Sequence, residues 1–148
     1  MKPKSRRLDP LLARAGEREA AVAREFAAKT HALVQHEERL ADLLRYSDEY
    51  AQSQAGATSP ALLANREAFR GKLKQAVGLQ QRAVDQSRQS ADFERTRLML
   101  AARDTKVLEK LAATYRSAER HIELRVEQHA MDEHAARGHR RGGDGEPT

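Results

Sequence analysis

The side chains with most chemical reach in this chain are six histidines and a few neighbouring carboxylates. A divalent metal site needs three or four such groups converging on one point. His129 and Glu133 stand at i, i+4 with His134 beside them, but no third ligand is fixed nearby and no HExxH pattern occurs. These histidines read as helix-surface residues. Glu37-Glu38 and Asp48-Glu49 could share acid–base work only in a desolvated cleft, and they fall on convex helix surface. Gly71 and Gly78 follow no strand, so they build no phosphate cradle; each costs its helix about 1 kcal/mol relative to Ala. With no Cys, thiolate metal sites and disulfides are ruled out. The expectation is a protein without catalytic residues, cofactor, metal or small-molecule substrate.

Composition points to the elements that carry these residues. The 148 residues are 39% hydrophobic and 33% charged with only 4% aromatic, mostly Ala and Leu among Arg, Glu and Gln, which suits long, thin helical packing better than a layered core. MKPKSRRLDP carries no apolar h-region, and nowhere do ~18 apolar residues run together, so neither a signal peptide nor a membrane span is expected. The net charge of +5 is concentrated at the ends, in Lys2, Lys4, Arg6 and Arg7 and in Arg137, Arg140 and Arg141. Between Leu8 and Ala136 lie 20 basic and 20 acidic residues, a balanced body whose basic ends favour solubility over nucleic-acid binding.

Asp9-Pro10 offers an N-cap followed by proline at the first helical position, and Ser59-Pro60 repeats the signal. Helix 1 is therefore expected over about 10–52, a loop over 53–59 and helix 2 over about 60–137, with Gly138 as the C′ residue and 138–148 as a disordered basic, Gly-rich tail. Glu25 with Lys29 and Asp85 with Arg88 are expected to pair along the helix surfaces.

Helices of this length must bury a stripe, and the short loop makes each the other's partner. The fold class is all-α, a long two-helix antiparallel coiled-coil hairpin. In helix 1, Leu12, Phe26, Leu33 and Leu40 share one heptad position, and Leu8, Ala15, Val22, Leu43 and Tyr50 the other; Glu19, Lys29 and His36 interrupt the seam. In helix 2, Leu62, Phe69, Ala76 and Ala83 recur every seven residues, as do Ala101, Leu108, Tyr115, Ile122 and His129. The spacing between the two sets places one stutter near Gln86 to Phe93. A loop centred near Gly56 sets Leu8 opposite about Asp104, so helix 2 overhangs by roughly 30 residues carrying Leu108, Leu111, Tyr115, Ile122 and Val126. That stripe calls for an external partner, a third shorter helix or self-association.

Beside the loop, Leu40 and Leu44 form one apolar line and Leu43, Tyr46 and Tyr50 another. On helix 2, Leu63, Val77 and Val84 stand apart from Phe69, Leu73 and Ala76. One line on each helix exceeds what a two-stranded seam uses, which implies either interface anchors or a wider core at the tip.

Three stretches together resemble the FliJ family of the bacterial flagellar type III export apparatus. They are Arg39-Leu40-Ala41-Asp42-Leu43-Leu44-Arg45-Tyr46-Ser47-Asp48-Glu49-Tyr50, Phe69-Arg70-Gly71-Lys72-Leu73-Lys74-Gln75-Ala76, and the signature Met131-Asp132-Glu133-His134-Ala135-Ala136-Arg137. The resemblance implies a stalk-like coiled coil without enzymatic activity, inserted by its terminal ends into the hexameric ring of the export ATPase FliI. It would promote ring assembly, couple the ring to the export-gate membrane protein FlhA, and handle export chaperones. Localisation would be cytoplasmic, peripheral at the membrane's cytoplasmic face, in support of flagellum biogenesis, motility and chemotaxis. The gate-binding stripe would fall on Leu43, Tyr46, Tyr50, Phe69, Leu73 and Ala76, with Arg39 and Gln80 at its ends in place of the expected Gln and His. The ring contact would fall on Leu108, Tyr115, Ile122 and Val126. Alternatives are a virulence-type secretion stalk, a self-associating coiled coil and a nucleic-acid-associated one.

Overall fold

In the computed structural model, which describes residues 2–53, 56 and 59–142, two helices account for nearly all of the chain: α1 (Lys4–Ser53) and α2 (Pro60–Arg141). They pack against each other, and among the described residues there is no strand, as an all-α helical hairpin requires. Two compact units divide them: one spans Arg18–Ala102, the other joins the chain up to Glu17 with the chain from Arg103 onward.

In the unit spanning 18–102, burial on α1 follows the heptad lines read from the sequence. Val22 is buried, and Phe26, Leu33, His36, Leu40, Leu43 and Tyr50 are half-buried. On α2, Leu73, Glu94 and Ala101 are buried on one continuous line, with Gln80 and Ser87 half-buried between them. The second line changes over: Phe69, Ala76, Ala83 and Ser90 give way to Val84, Ala91 and Leu98. Val84, at 2% exposure, is the largest fully buried side chain. This change of line is the stutter, and the Glu94 carboxylate within it is held by the Arg97 guanidinium at 3.0 and 3.1 Å. At His36, the Gln80 amide donates to the backbone oxygen at 3.0 Å, so the two seam-breaking polar residues satisfy each other across the helices. Its Nε2 also lies 3.2 Å from the His36 Nδ1.

In the other unit, Ser5 and Ala112 are buried, and Leu8, Leu12, Ala15, Leu108 and Tyr115 are half-buried. Its register corrects the expected one. Ser5 bonds Glu119 and Asp9 pairs with Arg116 at 3.5 Å, so Leu8 faces α2 roughly three turns beyond Asp104. Beside the loop, in the unit spanning 18–102, the register is shifted in the same sense but by only about one turn, with His36 meeting Gln80. Phe69 packs on Tyr46 and Tyr50, whereas residues 60–65, including Leu62 and Leu63, are exposed. The first turns of α2 thus have no α1 residue opposite, and the helix is shifted along its partner. The overhang shrinks accordingly to residues 120–141, all exposed.

Helix ends also differ from expectation. Helix α1 begins at Lys4, with Pro10 inside it, because Glu119 of α2 supplies acceptors to its first turn. Helix α2 runs through Gly138, which has no positive φ, and ends on His139, Arg140 and Arg141, cations suited to a helix C-terminus. Of the expected tail, 138–141 are helical and 143–148 lie outside the described residues, as does most of the expected 53–59 loop.

Candidate functional site

The loop-proximal end of the unit spanning 18–102 brings together the six residues singled out there. Leu73 is buried; Leu43, Tyr50, Phe69 and Ala76 are half-buried; Tyr46 is 50% exposed. The Phe69 ring is met by Tyr50 at 4.6 Å between centroids, tilted by 58°, and edge-on by Tyr46 at 6.5 Å and 81°. Such edge and tilted contacts suit the aromatic quadrupole and fix the rings as a unit. The seam therefore consumes one side of the cluster, and Tyr46 with the outer edge of the other rings remains accessible. Leu44, Leu62 and Leu63 add exposed apolar surface at the same end.

Between the same helices lies an open groove of about 520 Å³ lined by residues that include Asp48, Glu67, Arg70 and Lys74. All four charged side chains are exposed.

The second candidate surface is the end of α2. Of the four residues expected to meet a partner ring, Leu108 and Tyr115 are half-buried against the start of α1, and Leu111 beside them is more exposed. Ile122 and Val126 stand bare at 62% and 63% exposure, with Leu124 and Met131 on the same free stretch. Met131, Asp132 and Glu133 are all exposed there. His129 Nδ1 sits 3.7 Å from a Glu133 oxygen, and among the described residues no group of three metal-binding side chains stands together.

Where this bare stretch begins, α1 is clasped to α2 by contacts that the motifs and heptad lines did not signal. Ser5 donates its backbone N–H to Glu119 Oε1 at 3.0 Å and its hydroxyl to Oε2 at 2.6 Å. Lys4 Nζ lies 5.8 Å from the Tyr115 ring centroid, within cation–π range. The Ser5 hydroxyl, then the Ser5 backbone N–H, hold the Glu119 carboxyl below its ordinary value; the Lys4 N–H and the Arg116 charge act in the same direction. The available signal was periodicity, since Ser5 lies seven residues before Leu12 and Glu119 seven after Ala112.

Two packed helices, an aromatic cluster exposed along one edge and a bare helix end define a coiled-coil interaction protein. A family model described as "Flagellar FliJ protein" matches residues 3–144, nearly the whole chain, and the protein belongs to that family. It is accordingly a component of the flagellar export apparatus. Neither the curated proteins nor the solved structures compared with the chain gave a match. Among the described residues, no helix is long and apolar enough to cross a membrane.

Proposed function

We propose that this protein is the non-enzymatic stalk of the export apparatus: its terminal end enters the centre of the FliI ATPase hexamer and promotes its assembly, while its loop end docks on the export gate FlhA. The observation that carries the reading is the bare end of α2, where a continuous helix with exposed Ile122, Leu124 and Val126 has no α1 beside it. Helices owe most of their stability to a packed face, so this stretch gains from a surrounding partner. Leu108 and Tyr115 support the contact from the helix seam, by holding α1 and α2 together below it.

At the loop end, the Tyr46, Tyr50 and Phe69 cluster is the gate-binding face. Leu43, Leu73 and Ala76 build the platform beneath it, because their burial leaves little side chain to offer a partner. Handling of export chaperones and peripheral residence at the membrane's cytoplasmic face follow from these partners. So does the contribution to flagellum assembly, motility and chemotaxis.

The test separates the two ends. Ile122→Asp with Val126→Asp should abolish co-purification with FliI while leaving FlhA binding intact, because the substitutions fall on exposed surface. Equal loss of both partners, or of neither, would defeat the division of labour.

A further inference from the structure

The charge of the helical body balances in total but not along its length. A groove of about 640 Å³ in the unit spanning 18–102 is lined by Arg18, Arg24, Lys29 and Arg97 against a single carboxylate, Glu25. Arg97 is engaged by Glu94. Arg18, Arg24 and Lys29 form no ion pair or hydrogen bond among the described residues, and the Glu25–Lys29 pair expected from their i, i+4 spacing is not made. On the neighbouring stretch of the same unit, Arg88 reaches Glu37 on the other helix at 3.4 Å, while Asp85, its expected partner, accepts from Gln81.

Lys29 is the second departure. It occupies the heptad line of Val22, His36, Leu43 and Tyr50, all buried or half-buried, yet it is exposed. A lysine there forgoes the packing that an apolar residue would contribute, and it puts a cation at the groove instead. Ala21 and Ala28, exposed and seven residues apart, also line it, and their small side chains leave room for another helix to approach.

We propose that this groove docks a helix of a partner protein whose facing side carries carboxylates. The occupant is fixed by charge complementarity and layout. Three unpaired cations are strung along about 17 Å of α1, from Arg18 to Lys29, so they match acids repeated along a helix rather than one phosphate group bound at a point. The residues that line this groove are shared neither with the aromatic cluster nor with the free end of α2, so it can be tested apart from both.

The experiment uses the full chain and a fluorescent alanine-based peptide of about 20 residues with glutamates every third or fourth position, read by anisotropy at low salt. The wild type should bind and lose affinity as salt rises. Arg18→Glu with Lys29→Glu should weaken binding by about tenfold or more, whereas Arg120→Glu with Arg125→Glu, the same charge change on exposed α2 surface, should leave it within about twofold. No binding by the wild type, or equal loss in both double variants, overturns the proposal. Groove-dependent binding of heparin or duplex DNA with no binding of the peptide overturns it in favour of a polyphosphate or polysulfate partner. Lys29→Leu guards against misfolding as the explanation: it should bind the peptide more weakly while its melting temperature holds or rises. Intact binding with a lowered melting temperature would make Lys29 a structural residue and end its part in the groove.

Discussion

At the scale of single residues, Glu119 makes a pH dependence that the sequence hides. Its folded-state pKa is depressed, by the Ser5 hydroxyl first, so it stabilises the clasp at neutral pH. That contribution is lost as pH falls from the ordinary value of 4.5 through the lower folded one. Glu119→Gln should therefore lower the melting temperature at pH 7, and the gap from wild type should close in acid. A gap constant across that window would remove Glu119 from the clasp. Gly71 makes a prediction of opposite sign. It lies inside α2, exposed, and a Cβ built on it meets nothing within 4 Å. Gly71→Ala should raise stability by about 0.5–1 kcal/mol in a thermal or urea melt. Both residues were visible in the sequence, but only the glycine's role could be read there. Its cost is local, whereas the clasp depends on a partner 114 positions away.

At the scale of the helices, periodicity was legible and register was not. The lines through Leu12, Phe26 and Leu33, and through Val22, Leu43 and Tyr50, can be read from spacing alone because burial repeats every seven residues on any helix with one covered stripe. Even the stutter could be placed from the gap between two apolar sets. Register depends on where each helix starts and on how the loop hands one to the other. Cap signals at Asp9-Pro10 and Gly138 misled on both ends, because an acceptor borrowed from α2 prolonged α1 and nothing required α2 to stop at a glycine. At the same scale, burial divides the six tip residues. Phe69 holds both tyrosine rings, so Phe69→Ala should cost roughly 2 kcal/mol of stability together with gate affinity. Tyr46→Ala, at the exposed edge, should weaken gate binding with little change in the melt. Equal destabilisation by the two would place Tyr46 in the core.

At the scale of the whole molecule, few aromatics, a body whose charges balance in total and an Ala- and Leu-rich apolar set favour long, thin helices over a layered core. What composition could not give was where the exposed apolar surfaces lie, because exposure follows from the register. The shift along α2 covers Leu108 and Tyr115 and leaves Ile122 and Val126 bare, so the proposed ring contact would fall on the exposed stretch beyond residue 119. The central claim is that this stretch acts on a partner ATPase. It is tested most directly by the rate of ATP hydrolysis by the cognate FliI with and without this protein, with assembled rings counted by electron microscopy in the same samples. The account predicts faster hydrolysis together with more rings, and loss of both effects in Ile122→Asp with Val126→Asp. An unchanged rate and ring count with a fully helical wild-type sample would contradict it.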